Sequence, residues 1–306
     1  AYFANSLELL LISRVLMGLG AAGPRTAATA LVRDLFEGRA MAQVMSFVMM
    51  VFMLVPAVAP LMGQAVAHVA GWKAIFLVYI VFAVVTALWL ALRQAETLPK
   101  AARRKLNAAA LLASTRELLS HRVVVISIAM QTLTLAALFA TLSSMQGIFE
   151  QRFDRAESFP LWFALIALCS AFANVINAKT VVKYGMRRLI GIGYISLVCI
   201  TGVLVAVKLL GLLPESMAFG VHVFWTISIF GAMGLQMGNL NALAMEPVGH
   251  IAGLAASVIS ATSTVASVLL AIPVGLAFDG SEIPLMVGVL VFNVLALLVF
   301  RMDDGR

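Results

Sequence analysis

The sequence predicts an all-α integral membrane protein with about nine transmembrane helices. Three observations predict it. Apolar residues make up 62% of the 306 positions and charged residues only 11%, against roughly 25% charged in a soluble domain. The mean hydropathy is +1.04. The polar residues gather in short clusters between apolar stretches of about 20 residues, the length that crosses a bilayer core of about 30 Å. Inside lipid such stretches have to be helical, because only a helix satisfies its own backbone there.

Taken in order, the apolar stretches cover residues 6–32, 41–67, 73–93, 123–146, 159–181, 189–210, 218–241, 253–277 and 285–302. The connections are short except for residues 93–122, which are polar and basic. Within them, Ser114 three positions before Glu117 reads as the cap of a short surface helix. The chain opens on an apolar span without the basic leader of a signal peptide, and it reads as cut upstream.

The net charge of +7 would raise nucleic acid as a partner in a soluble protein. Here its distribution explains it. With the first span running outside to inside, fifteen Lys and Arg residues fall on the inner side, four on the outer side, and Arg14 and Arg25 lie within the first span. That asymmetry follows the positive-inside rule and places the long basic loop and the C-terminus in the cytoplasm. The expected partner is therefore the lipid bilayer and not nucleic acid. Cys169 and Cys199 lie mid-span, the four histidines are far apart, and no metal-ligand spacing or catalytic cluster is present. The sequence thus implies no enzyme, no metal and no cofactor.

A weak internal repeat runs through the chain. MGLGAAGPRTAATA at 17–30 is echoed by MGLQMGNLNALAM at 233–245, and GRAMAQVMS at 38–46 by AGLAASVIS at 252–260, both at an offset of about 215 residues. Parallel repeats of this kind mark two-lobed transporters. Spans one and two correspond to spans seven and eight, so twelve spans are expected in all, with three upstream of the first seen here. Residues 1–92 then form the remainder of an N-terminal lobe, 93–122 a cytoplasmic linker, and 123–306 a C-terminal lobe.

A set of short motifs carries a family resemblance. The first span has Arg14, Gly18, Gly20, Ala21 and Ala22, followed by Arg33-Asp34-Leu35-Phe36. The second has Pro56 and Pro60, then Gly63; next come Gly71-Trp72-Lys73-Ala74-Ile75-Phe76 and Glu96-Thr97-Leu98-Pro99. Later in the chain stand Asn177-Ala178-Lys179, Lys183-Tyr184-Gly185-Met186-Arg187-Arg188, and a stretch from Ala242 through Glu246-Pro247 to Gly253. In this order the motifs resemble the major facilitator superfamily and, within it, the drug:proton antiporters of the Bcr/CflA multidrug efflux type. The chain departs from that pattern at Met17, where many relatives carry Gln, and at Gln64, where the fullest motif has a second glycine. The resemblance implies helices four to twelve of a twelve-helix transporter in a bacterial cytoplasmic membrane, monomeric when complete. It implies export of small drug-like molecules in exchange for protons. It assigns Arg14 to a proton-coupling network, the proline and glycine motif to a bend that seals the lobes, and Lys183, Gly185, Arg187 and Arg188 to a cytoplasmic loop motif. A metabolite or sugar transporter of the same fold is the alternative, and a membrane enzyme or receptor a more distant one.

Individual residues give two readings each. A charge at mid-membrane is costly, so Arg14 and Arg25 are candidates for function. They stand 11 positions apart and return to within about 20° of one helix face, with Gly18 and Ala21 between them. Either they order a coupling network or they are held structurally, Arg25 by reaching toward the cytoplasm. Gly18, Gly20, Pro56, Pro60 and Gly63 serve close helix packing or the family motif. The methionine-rich run from Met45 to Met53 suits a promiscuous surface or plain filling. Polar side chains at helical spacing, His222 through Trp225, Gln236 and Asn239, and Ser170 through Asn174 and Asn177, with Gln131 alone, either line a substrate path or pin helices together. His222 reads as structural. All 14 carboxylates fall in loops or near span ends, so the coupling acid is expected in the upstream helix where family members carry it.

Overall fold

A computed structural model describes residues 1–36, 38–97 and 115–302, with the side chains of some helical positions, Arg25, Pro56 and His250 among them, outside the description. The described residues form nine long helices. These are α1 (Leu7–Leu35), α2 (Gly38–Ala70), α3 (Ala74–Arg93), α4 (Arg122–Gln151), α5 (Phe159–Tyr184), α6 (Met186–Leu209), α7 (Glu215–Met245), α8 (Ala252–Leu276) and α9 (Ile283–Arg301). Seven helices among the described residues are long and apolar enough to cross a membrane. Each long helix coincides with one expected apolar stretch. Several run further than the stretch does: α4 continues to Gln151 and α7 begins at Glu215. The reason is physical. Apolarity marks only the hydrocarbon layer, whereas the hydrogen-bonded backbone continues into the interfacial region.

The chain divides into two compact units, Ala1–Leu106 and Asn107–Arg306. In the first, Ser6 caps α1 by accepting a 3.2 Å hydrogen bond from the Leu9 N–H. α2 ends at Gly71, whose φ of 77° is open to glycine at little cost; its N–H closes on the Ala67 carbonyl at 2.9 Å. Trp72 and Lys73 complete the turn into α3, and Trp72, Phe76 and Tyr79 follow one another edge-to-face along its start. The α3 exit is tied back to α1, where Thr97 Oγ1 donates to Asp34 Oδ2 at 2.9 Å.

The second unit is built around α4, which packs on α7, α8 and α9, while α5 and α6 pack on α7. Ala136, Ala137 and Ala140 let α4 approach Trp225, Ile229, Met286 and Val289 closely in the largest buried cluster. Small residues of this kind matter because lipid offers helices no hydrophobic drive to associate, so contact area does the work. Large side chains such as Phe172 and Val182 point outward instead, as a lipid-facing surface requires. At one end Arg122 Nη2 donates to the Met302 carbonyl at 2.6 Å; at the other, Arg152 meets Glu215 at 2.7 Å. Glu246–Ile251 forms a 3-10 turn between α7 and α8, where Pro247 cannot donate to a continuing helix.

The middle of the stretch expected as a linker, residues 98–114, falls outside the described residues, as does the Ser114 cap. Residues 115–120 are helical. Arg116, Glu117, Leu119 and Ser120 are exposed, as a surface helix requires, and Leu118 is the exception. Leu118 is fully buried among Val124, Ile128, Ala244 and Val248, so this part of the expected linker belongs to the second unit's packing.

Candidate functional site

In the first unit, α1 and α3, with Ala1 and Tyr2, border an open apolar cavity of about 500 Å³. Met17, Gly20, Ala21 and Pro24 line it from α1; Phe76, Tyr79, Ile80 and Ala83 line it from α3. The α1 spacing of three, one and three is a single helical face. It lies one step round from the face that carries Arg14 and Gly18. Arg14 is exposed and places its guanidinium 5.5 Å from the centre of the Phe76 ring, a cation–π distance that sets one positive charge beside an apolar wall. The Arg25 side chain lies outside the described residues, as do those of Pro56 and of the methionines at 45, 49, 50 and 53. No described heavy atom lies within 4 Å of a Cβ built on Gly18, Gly20 or Gly63. Close helix packing, expected of these glycines, is therefore not seen within the first unit. Pro60 is half-buried in α2.

The polar residues of the second unit fall where their helical spacing puts them, facing inward. His222, Trp225, Ile229, Ala232, Gln236 and Asn239 are all buried. The seam between α5 and α7 is read in register. Ser170 Oγ donates to the Ile166 carbonyl at 2.7 Å and reaches the Ile227 carbonyl at 3.4 Å. A Cβ on Gly234 would stand 3.1 Å from Asn174 Oδ1. Asn239 Nδ2 donates to Asn177 Oδ1 and to the Leu235 carbonyl, each at 2.8 Å. Three rungs thus pin two helices together. Gln131 and Gln236 are 2% and 1% exposed, and the Nε2 of each has no hydrogen-bond partner among the described residues. Of the residues expected to line a path or pin helices together, Gln131, Gln236 and Asn239 are buried within the second unit. Only Asn174 is exposed.

The loop motif becomes a one-residue break. Gly185, at φ 80° and ψ 153°, is at once the end of α5 and the start of α6. That region of backbone space is essentially reserved for glycine. Lys183 and Arg188 stand 5.3 Å and 5.6 Å from the Tyr184 ring, so two cations flank one aromatic.

Two groups were not legible in the chain. Tyr194 is fully buried, with its hydroxyl 2.6 Å from Thr134 Oγ1 and 3.2 Å from the Met130 carbonyl. Glu282, just before α9, is 2% exposed, ion-paired with Lys208 and 3.0 Å from His222 Nδ1. The sequence places every carboxylate near a span end, and Glu282 obeys that; what it does not reveal is the burial. The only local signal is a charged residue directly ahead of an apolar run. No group of three or more metal-ligating side chains occurs among the described residues.

Comparison with known proteins adds family to geometry. A family model described as the Major Facilitator Superfamily matches residues 1–271. The chain is similar to an uncharacterized MFS-type transporter, YdgK, of Bacillus subtilis strain 168, with 27% identity over 267 residues, or 83% of this chain and 63% of that protein. It is also similar to a bicyclomycin resistance protein homolog of Haemophilus influenzae, with 28% identity over 262 residues and the same two shares. The chain therefore spans 63% of the length of both relatives.

Proposed function

This chain belongs to the Major Facilitator Superfamily, a family of transporters and not of enzymes, and from that premise we propose that it works in proton-coupled export of amphipathic, drug-like compounds by alternating access. The observation that carries the reading is the cavity between α1 and α3. Its walls are apolar and aromatic, and the Arg14 guanidinium stands beside them on the Phe76 ring. An apolar concave surface with a charged group at its edge suits amphipathic cargo. A sugar would need several hydrogen-bonding groups in its site, since a buried hydroxyl without a partner is costly, and among the described lining side chains only Tyr2 and Tyr79 carry a hydroxyl.

Similarity to the bicyclomycin resistance homolog supports the same cargo class. Arg14 and Arg25 remain the proposed coupling arginines, with Arg14 the better placed because it adjoins the cavity. The proposed setting is a bacterial cytoplasmic membrane.

The test is accumulation of fluorescent apolar dyes in cells that lack their own exporters, with and without the protein, and with and without an uncoupler. Lower accumulation that the uncoupler abolishes supports proton-driven export. Unchanged accumulation and tolerance for every compound tried would sink it, and energised uptake of a labelled sugar would favour the metabolite reading.

A further inference from the structure

We propose that Lys208, His222 and Glu282 form a proton-binding site at one end of the second unit, in which a protonated His222 displaces Lys208 from the single carboxylate of Glu282. The three residues come from different elements. Lys208 lies in the last turn of α6, His222 in the second turn of α7, and Glu282 directly ahead of α9. Their side chains are 11%, 1% and 2% exposed. One carboxylate oxygen, Oε1, is taken by the Lys208 ammonium. The other, Oε2, faces His222 Nδ1 at 3.0 Å. That contact lies off a hydrogen-bond line: Oε2 and both ring nitrogens of His222 have no hydrogen-bond partner among the described residues. The imidazole is otherwise walled by the rings of Phe149, Phe153 and Trp225, at 5.9, 5.3 and 5.7 Å.

Two basic side chains on one buried carboxylate make an arrangement with a definite charge limit. With Lys208 cationic, Glu282 anionic and His222 neutral, the set carries no net charge, which burial requires. A proton on His222 would leave two cations on one anion, so one cation has to leave. His222 is held by three aromatic rings within a helix. Lys208 has a long flexible stem at a helix end, and such a stem can carry its ammonium to water. Proton uptake is then an exchange. Water at this end gives one proton to the imidazole, the imidazolium takes Glu282, and the Lys208 ammonium moves outward with its charge intact. The buried set is neutral before and after.

The surrounding charges fit that movement. Glu215, in the first turn of α7, is an exposed carboxylate whose field reaches Lys208, as does that of Arg152. Arg152 is paired with Glu215 at 2.7 Å, and Arg155 sits over the Phe219 ring at 4.5 Å. The last turns of α8 carry no charged side chain. The turn before α9 adds Asp279, which is fully exposed and held below the usual carboxylate range by hydrogen bonds from the Ser281 side chain and backbone. A released Lys208 therefore finds exposed carboxylates, Glu215 and Asp279, alongside the Arg152 guanidinium that is paired with Glu215.

As a proton site the cluster stands on its own geometry; a part in coupling rests on the export reading. The experiment reads the imidazole and not transport, so the two fail separately. Histidine 15N resonances of the protein in lipid nanodiscs are followed between about pH 5 and 8, the range in which imidazoles change charge. The chain has four histidines, and His222→Gln assigns the signal. We expect the His222 ring to pass from the neutral to the imidazolium pattern as pH falls. Glu282→Gln should lose the imidazolium form across that range, Glu282→Asp should keep it, and Lys208→Gln should raise the imidazolium fraction at neutral pH. A wild-type ring that stays neutral throughout overturns the proposal. So does a titration indifferent to Lys208→Gln and to the Glu282 variants. If Glu282→Gln does not fold, the wild-type and Lys208→Gln spectra decide.

Discussion

At the scale of single residues, the strongest constraint is Gly185. Its φ of 80° and ψ of 153° lie where a Cβ is strained, at a cost on the order of 1–3 kcal/mol. No described atom crowds the position, so the strain is the whole of the effect. Gly185→Ala should therefore lower the melting temperature of the purified protein in detergent, and Gly185→Asn should lower it as well, because asparagine's tolerance of positive φ belongs to the left-handed helical region and not to ψ near 150°. Equal melting temperatures for wild type and Gly185→Ala would count against the backbone geometry. Gly185 was visible in the sequence as part of the loop motif that carries the family resemblance. Glu282 was not, although it is as constrained. Its partners Lys208 and His222 are 74 and 60 positions away, and nothing local reports that three helix ends converge. Sequence reasoning sees a residue's position along its own helix; it does not see which ends meet.

Between elements, periodicity foretells a buried face but not the neighbour that covers it. The α7 stripe from His222 to Asn239 was read from its three- and four-residue steps, and all of it is buried. Whether its amides faced a path or a helix was open, and the Asn239–Asn177 hydrogen bond at 2.8 Å answers for that pair. A double-mutant cycle on Asn177→Ala and Asn239→Ala should show a coupling of about 0.6 kcal/mol, typical of side-chain hydrogen bonds between membrane helices. Strict additivity of the two changes would mean that the seam is held by shape alone. The α8–α9 contact gives a sharper test. A Cβ on Gly288 would stand 2.6 Å from one methyl of Val274 and 2.9 Å from the other. Valine is stiff at χ1 and cannot swing both methyls away. Gly288→Ala should thus cost about 1–3 kcal/mol, as overpacking does. Val274→Ala should recover most of it in the double variant. If Gly288→Ala alone melts like wild type, α8 and α9 are not packed this closely.

For the molecule as a whole, the class was legible because a bilayer imposes it: length and apolarity of each span suffice. The offset repeat led to an expected linker over residues 93–122, and within that range Leu118 joins the core of the second unit. Composition draws a linker where the polar residues are, whereas packing can recruit a single leucine from within it. The remaining large-scale statement is orientation. Fifteen of the Lys and Arg residues lie on one expected side against four on the other, and such bias sets topology during insertion. The geometry gives each side an exposed landmark: Lys183 in the last turn of α5, and Leu212 in the turn between α6 and α7. α6 is 24 residues long, enough to separate the two ends by about 36 Å at 1.5 Å per residue. With Cys169 and Cys199 replaced by Ser, a cysteine at Leu212 should react with a membrane-impermeant maleimide on intact cells. One at Lys183, in the exposed last turn of α5, should react only after permeabilisation. The reverse pattern would invert the topology, and with it the side from which the Lys208–His222–Glu282 cluster draws its proton. Labelling of both from the outside would be incompatible with α6 as a membrane span.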